Sequence, residues 1–338
     1  MKPNKSTDDN IYSKIADLLS FSQKKVVQTI NQTMVYTYFE IGKIIVEYLQ
    51  EGEDKAKYGK GLLKDISERL STNFGRGFSV DNLEHMRKFY LAYSTSETVS
   101  RKLEEPKFQL SYSHYLKLMR IDDIQERAFY EIEAAQNNWS LKELQRQTDS
   151  ALYQRLVLSR NKEEVKELST KGQIITKPSD ALKDPYILDF VGLPEHEYYS
   201  ETDLEQKLID KLEHFLLELG KGFTFVARQK RITFDEKHFY IDLVFYNRIL
   251  RCFVLIDLKI GELKHQDIGQ MQMYVNYYDR FGKLEEENKT IGIILCQDKS
   301  DTLVEITLPK ENEQIFASKY QTVLPSKDEL IKLIKNNK

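Results

Sequence analysis

The chain has 338 residues and a formal net charge of −3, with 41% hydrophobic, 30% charged and 11% aromatic residues. That apolar share supplies real cores and excludes wholesale disorder, and the length points to two domains. No apolar run is long enough for a transmembrane helix, the opening MKPNKSTDDN has no signal-peptide apolar region, and two cysteines, Cys252 and Cys296, exclude a disulfide framework, so a reducing cytoplasm is the expected compartment.

Charge is uneven along the chain. Residues 1–180 hold 28 Lys+Arg and 26 Asp+Glu, and residues 181–338 hold 22 and 27. Within the acidic half, 221–260 reverses the sign with 8 basic and 4 acidic residues.

The first 160 residues read as an all-α domain. Apolar residues recur at helical spacing in IADLLSFSQKKVVQTI and again in VYTYFEIGKIIVEYLQEG, where Gly52 suits a C-cap. Two further helices are predicted over 60–73 and 79–93, with Ser79 as N-cap of the second. The glycine-bearing STNFGRGF between them is a turn. Helical spacing continues over 111–119, 122–136 and 140–157, where Ser140 and Glu143 form a capping box. Residues 161–199, rich in charge and then in proline, read as a linker or docking segment.

Residues 200–338 change texture. An amphipathic helix over 200–220 precedes three strand-like runs, FTFVARQKRITF, HFYIDLVFYN and RCFVLIDLKI, rich in β-branched and aromatic residues. HQDIGQMQMYVNYYDRF reads as a helix and TIGIILCQD as a buried strand. The order α-β-β-β-α-β implies an α/β domain with a mixed sheet.

The chemistry concentrates in 240–259. Asp257 and Lys259 share one face of the third strand, because strand side chains alternate. A hairpin turn near 248–250 puts Asp242 almost opposite Asp257, with Cβ atoms roughly 5 Å apart. Two carboxylates that close either raise one pKa or recruit a cation. Hard oxygen ligands suit Mg²⁺ or Mn²⁺, and a nearby lysine can help a metal-bound water or stabilise charge on a phosphate. The plain alternative is an edge-strand ion pair with Asp242 solvated. Both acids lie in strongly apolar strands, where unpaired charge is costly, and this favours the functional reading. Arg228 and Lys230 share a face of the preceding strand, Arg231 takes the other, and all three are candidates to clamp phosphates.

These residues resemble the PD-(D/E)XK nuclease superfamily, with Asp242 as the first acid and Asp257-Leu258-Lys259 as the D/E-x-K triplet. The proline of that name is absent, since Ile241 precedes Asp242. Gln270 and Tyr274 match the Q-x-x-x-Y pattern of its RecB-like branch. YFEIGKIIVE, YGKGLLKDISERLSTNFGRGFSVDNLEHMRKFY, LSYSHYLKLMRI and DPYILDFVGL resemble the YhcG-type family, in which a helical domain precedes the nuclease domain. The resemblance implies a restriction-endonuclease-like fold over 200–338. It implies that Asp242, Asp257 and the Leu258 carbonyl hold the metal. Glu205 is the implied helix acid, with Asp203, Asp210 and Glu213 as competitors. It further implies that Lys259 assists the attacking water and that Gln270 and Tyr274 orient substrate or Lys259.

Residues 60–93 have the outline of a helix-turn-helix, which would offer Arg76, Asn82, Arg87 and Lys88 to nucleic acid, with Lys60 and Lys64 near phosphates. The competing reading is a dimerisation or docking domain presenting Tyr36, Tyr38, Phe39 and Tyr48. His114 and Trp139 read as structural, and both cysteines as buried apolar thiols. No Walker A string, Cys–His zinc pattern or Gly-x-Ser-x-Gly elbow occurs. The expected function is a metal-dependent nuclease acting on nucleic acid, DNA before RNA, as a homo-oligomer in defence or repair. The rival is a catalytically weak DNA-binding or adaptor protein.

Overall fold

The computed structural model describes residues 5–50, 55–94, 108–158, 162–193, 199–324 and 326–336. Gly52 and part of the 161–199 segment lie outside them, as does the Lys60 side chain. The chain forms two compact units, Met1–Gln145 and Arg146–Lys338.

The first unit holds α1 (Lys5–Gln50), α2 (Lys55–Phe74), α3 (Val80–Ser94), α4 (Tyr112–Leu118) and α5 (Ile124–Gln136), and most of α6 (Leu141–Asp149). The two helices expected before residue 52 are one continuous helix of 46 residues. Neither Gly nor Pro interrupts the chain between Ile15 and Ile41, so the helix has no reason to stop. α1 and α3 meet at Gly42, where a Cβ would run into the Met86 carbonyl. Phe39, expected among the surface-capable rings, is instead core: it packs edge-on against Phe89 at 5.6 Å and at a tilt against Phe108 at 5.2 Å. Gly75 (φ 83°) and Gly77 (φ 130°) make the α2–α3 turn in backbone conformations that side chains disfavour. The helix expected over 140–157 breaks at Ala151 (φ 49°), and α7 (Leu152–Leu158) follows.

The second unit continues with α8 (Lys162–Lys171), β1 (Tyr186–Ile187), α9 (Glu201–Asp210), α10 (Leu212–Leu219), β2 (Phe223–Phe234), β3 (Lys237–Asn247) and β4 (Cys252–Glu262). Then come α11 (His265–Tyr277), extended by a π turn over Tyr278–Gly282, β5 (Ile291–Asp298), α12 (Asp301–Thr307), β6 (Ile315–Gln321) and α13 (Lys327–Asn336). The sheet order is β1-β6-β5-β4-β3-β2. The β2–β3 and β3–β4 pairs are antiparallel, while the β4–β5, β5–β6 and β6–β1 pairs are parallel. The expected mixed sheet and α-β-β-β-α-β order are present.

The segment read as a linker differs in the structure. It carries α8 and β1, and β1 pairs with β6 through Tyr186↔Tyr320. Tyr186, Ile187 and Leu188 are fully buried, so a short apolar run hidden among prolines becomes an edge strand. The helix expected over 200–220 is split at Lys211 into α9 and α10.

Each sheet face buries its own core. Leu204, Leu208 and Phe215 of α9 and α10 pack on Leu243, Phe245, Ile256 and Leu258. Ile268, Met271, Tyr274 and Val275 of α11 pack on Val244, Leu255, Ile294 and Cys296. At Gly292 a Cβ would lie 2.5 Å from Met271 Sδ, so β5 needs glycine for α11 to sit this close. Cys252 and Cys296 are buried free thiols, as expected, and burial pushes both up to about 12. Among the described residues no helix is long and apolar enough to cross a membrane.

Candidate active site

β3 turns over at Asp242. Ile241 joins the core on the α11 side, whereas Leu243 and Phe245 join the core under α9 and α10, although all three are odd positions. The β3–β4 ladder ends at the same place, with Leu243↔Ile256 as its last pair. The next opposed positions are Asp242 and Asp257. The sheet therefore opens where the two acids face each other, and groups from both helical layers can reach the gap.

Asp257 is 1% exposed. Its burial, then the Asp242 charge, push its carboxyl up to about 7. Lys259 Nζ sits 2.9 Å from Asp257 Oδ2 and 3.7 Å from Glu201 Oε2. The Asp257 contact is an ion pair off the hydrogen-bond axis, so the buried Oδ2 has no aligned donor. Burial works to lower the Lys259 pKa, but Asp257, Glu201 and Asp242 together outweigh it and the net shift is upward.

Asp242 is held at both oxygens. Oδ2 accepts from the Leu258 N–H at 2.8 Å, and Oδ1 accepts from Gln229 Nε2 at 3.0 Å. The same Gln229 nitrogen donates to Glu205 Oε2 at 2.6 Å. Glu205 of α9 is thus brought to Asp242 through Gln229, and burial raises its pKa. Its competitors are placed elsewhere: Asp203 caps α9 through Ser200, Asp210 accepts from Gln206, and Glu213 is exposed.

Sequence reasoning missed Gln229 and Glu201. Phe225↔Phe245 and Ala227↔Val244 differ by one residue in register, so β2 bulges at Val226. Without that inserted residue the same register would put Arg228 opposite Asp242. With it, Gln229 takes that place, in a left-handed conformation of φ 44°. Simple alternation along β2 cannot reveal a bulge. Glu201 is the first residue of α9, and no pattern singled it out. Its Oε1 also accepts from the Ile260 N–H at 3.3 Å.

The remaining candidates divide. Gln270 donates to the Tyr274 hydroxyl, which donates to the Tyr240 carbonyl at 2.8 Å. Tyr274 is fully buried. Arg228 Nη1 donates to Gln206 Oε1 at 2.9 Å, and Arg228, Lys230 and Arg231 are all exposed on β2. In the first unit Arg76 and Lys88 are exposed, Asn82 donates to the Gly77 carbonyl at 3.1 Å, and Arg87 is paired with Glu84 at 2.7 Å. His114 has the structural role expected of it, with its ring nitrogens at Ser111 Oγ (2.7 Å) and the Trp139 carbonyl (3.0 Å). Trp139 is only half-buried.

Among the described residues no cluster of three or more His, Cys, Asp or Glu has metal-holding geometry. The donor set here is smaller: two facing aspartates, one with a buried oxygen lacking an aligned donor, beside a backbone carbonyl at Leu258. Oxygen donors of this kind fit a hard divalent cation that keeps several waters.

Comparison with known proteins fixes the family. The chain is 34% identical to "Putative nuclease YhcG" of Escherichia coli (strain K12), over 95% of this chain and 93% of that protein. The chain belongs to the YhcG family. Residues 179–335 match the YhcG PDDEXK nuclease domain, and residues 14–155 match the DUF1016 N-terminal domain. The YhcG nuclease-domain match contains Glu205, Gln229, Asp242, Asp257, Lys259 and Gln270. Two solved structures are also similar. A repair endonuclease from Pyrococcus abyssi is 20% identical, over 38% of this chain and 50% of that one, with a TM-score of 0.26. An EndoMS–dsDNA complex is 15% identical, over 40% and 51%, with a TM-score of 0.27.

Proposed function

We propose that this YhcG-family chain is a metal-dependent nuclease that hydrolyses phosphodiester bonds, with DNA as substrate. The carrying observation is the meeting of Asp242 and Asp257 at the opening between β3 and β4, with Lys259 2.9 Å from Asp257. The nuclease description of the E. coli relative supports the same reading.

Asp242, Asp257 and the Leu258 carbonyl would hold Mg²⁺ or Mn²⁺, with Glu205 contributing directly or through water. Such an ion polarises a phosphoryl oxygen and lowers the pKa of bound water. Asp242 is held in place by the Leu258 N–H, which donates to its Oδ2 at 2.8 Å. Lys259, as an ammonium, places positive charge where the phosphorane builds negative charge. Glu201 Oε2 lies 3.7 Å from that ammonium and adds to its negative surroundings. Tyr274 is buried and anchors Gln270, leaving Gln270 as the group able to meet substrate. Arg228, Lys230 and Arg231 line the exposed strand beside the acids and would contact phosphates. In the helical unit Arg76 and Lys88 are open to a backbone phosphate, while Asn82 and Arg87 would have to exchange internal partners.

The test is cleavage of plasmid, linear, branched and RNA substrates with Mg²⁺ or with EDTA. Equal cleavage by Asp257→Ala and wild type would overturn the site. A second reading, a binding or adaptor protein, draws support from the Gln229 amide, which itself joins Glu205 to Asp242 by donating to both. Titration with Mn²⁺ in the presence of DNA separates the two, since an adaptor of this kind would take up no metal.

A further inference from the structure

Within the first unit α1 buries one side over Val35–Val46, while apolar side chains elsewhere on it stay exposed, Ile11, Leu18, Phe21 and Val27 among them. Val35, Phe39, Gly42 and Val46 form the side that meets α3. Tyr12, Ile15, Leu19, Val26, Ile30, Ile44 and Tyr48 are 52–75% exposed. At about 100° per residue, these seven fall within roughly 60° of one another and opposite the buried side. They form a line about 54 Å long, from Tyr12 to Tyr48.

The gap in that line, between Ile30 and Ile44, is not polar. Thr33 and Thr37 fall in the same sector. Their hydroxyls donate to the Thr29 and Thr33 carbonyls at 2.9 Å each. With the hydroxyls turned back onto the helix, the methyl groups are left to face outward. The stripe is therefore apolar at its centre, with polar groups only at Ser22 on its edge and at the Tyr12 and Tyr48 hydroxyls at its ends.

We propose that this stripe is a self-association surface, along which the α1 helices of two copies of the chain pack against each other. Length selects the occupant. A mate must offer an apolar line of about 54 Å, and α2, with 20 residues, spans only about 30 Å. A second α1 matches in length and in its spacing of three and four residues. Area agrees. Seven large apolar side chains, more than half exposed, present on the order of 800 Å² per copy, about what each partner gives to a stable interface. Patches on monomers are typically about 300–600 Å². One patch meeting itself gives the closed two-fold pairing that most homo-oligomers use. This inference is independent of the nuclease reading, because none of its residues lies in the second unit.

The test is light scattering of the full chain, wild type and the Leu19→Glu/Val26→Glu double variant, with circular dichroism on both. The expected result is a dimer for wild type and a monomer of unchanged helix content for the variant. A bismaleimide supplies a second readout. Ser22→Cys, at the edge of the stripe, should cross-link two chains, whereas Asp17→Cys, on the opposite side, should not; Cys252 and Cys296 are buried and stay silent. A monomeric wild type, a dimer that survives the double variant, or equal cross-linking from both cysteines would overturn the proposal. So would a monomer that floats with anionic lipid vesicles through this stripe.

Discussion

Gln229 faces Asp242 across the β2–β3 ladder, its Nε2 3.0 Å from Asp242 Oδ1 and 2.6 Å from Glu205 Oε2. One amide nitrogen thus bridges two acids that would otherwise repel. The bulge at Val226 sets this relationship, because it shifts β2 by one residue relative to β3.

The bridge predicts a metal-linked effect of Gln229→Met. Two hydrogen bonds to carboxylates are lost, at an exposed residue, so the cost should be about 1 kcal/mol. It should appear in urea unfolding with EDTA and shrink with Mn²⁺, which would bridge the acids in place of the amide. An equal cost in both conditions would mean that the amide has no cation-like role.

Asp257 predicts an unusual pH dependence in the metal-free protein. Its carboxyl is raised to about 7 by burial and then by Asp242, against about 3.9 in the unfolded chain. Between those values the folded state holds a proton that the unfolded state has released, so stability falls as pH rises through that window. Asp257→Asn cannot ionise. Its stability relative to wild type should therefore improve from pH 5 to pH 8 in EDTA, by on the order of 1–3 kcal/mol. A difference independent of pH would contradict this assignment.

Glu218 behaves in the opposite sense. Arg155 Nη1 lies 2.5 Å from its Oε1, and both side chains are fully buried. The Ile187 N–H donates to the same oxygen at 2.9 Å, and Arg155 also reaches the Pro185 carbonyl at 3.1 Å. Burial acts to raise the Glu218 pKa, but the Arg155 and Lys183 charges outweigh it and hold the carboxyl below its usual value. That stabilisation is present above the unfolded value, about 4.3, and is lost as pH falls through the lower folded one. Glu218→Gln leaves the Arg155 guanidinium buried without its counter-charge and should cost about 3–5 kcal/mol at neutral pH. Denaturation across pH 3–7 checks this. The variant's stability deficit should narrow at the acid end, and a constant deficit would argue against the ion pair.

Much of the second unit was legible because its strands are long, apolar and bounded by turn residues. β2 spans the predicted Phe223–Phe234, and the facing of Asp242 and Asp257 followed from the position of one hairpin turn. What the sequence hid was non-local. β1 is two residues long and gains its identity only from pairing with β6. The bulge that installs Gln229 leaves no mark on composition. Gln270 and Tyr274 were legible as one helix face, but only packing places the Tyr274 hydroxyl on the Tyr240 carbonyl inside the core. In the first unit the helical pattern was plain, whereas two apolar runs fuse into α1 because no glycine or proline breaks the chain between them.

The proposed function makes Asp242, Asp257 and Lys259 one metal-dependent phosphodiesterase centre. The most direct measurement is the single-turnover rate of DNA cleavage with Mg²⁺ by wild type and by Lys259→Met, a variant that keeps both aspartates. Positively charged groups at developing transition-state charge are worth roughly 100–1,000-fold in rate, so a loss of that size is predicted, with cleavage abolished in EDTA for both proteins. Cleavage by Lys259→Met at the wild-type rate, or wild-type cleavage that persists in EDTA, would contradict it.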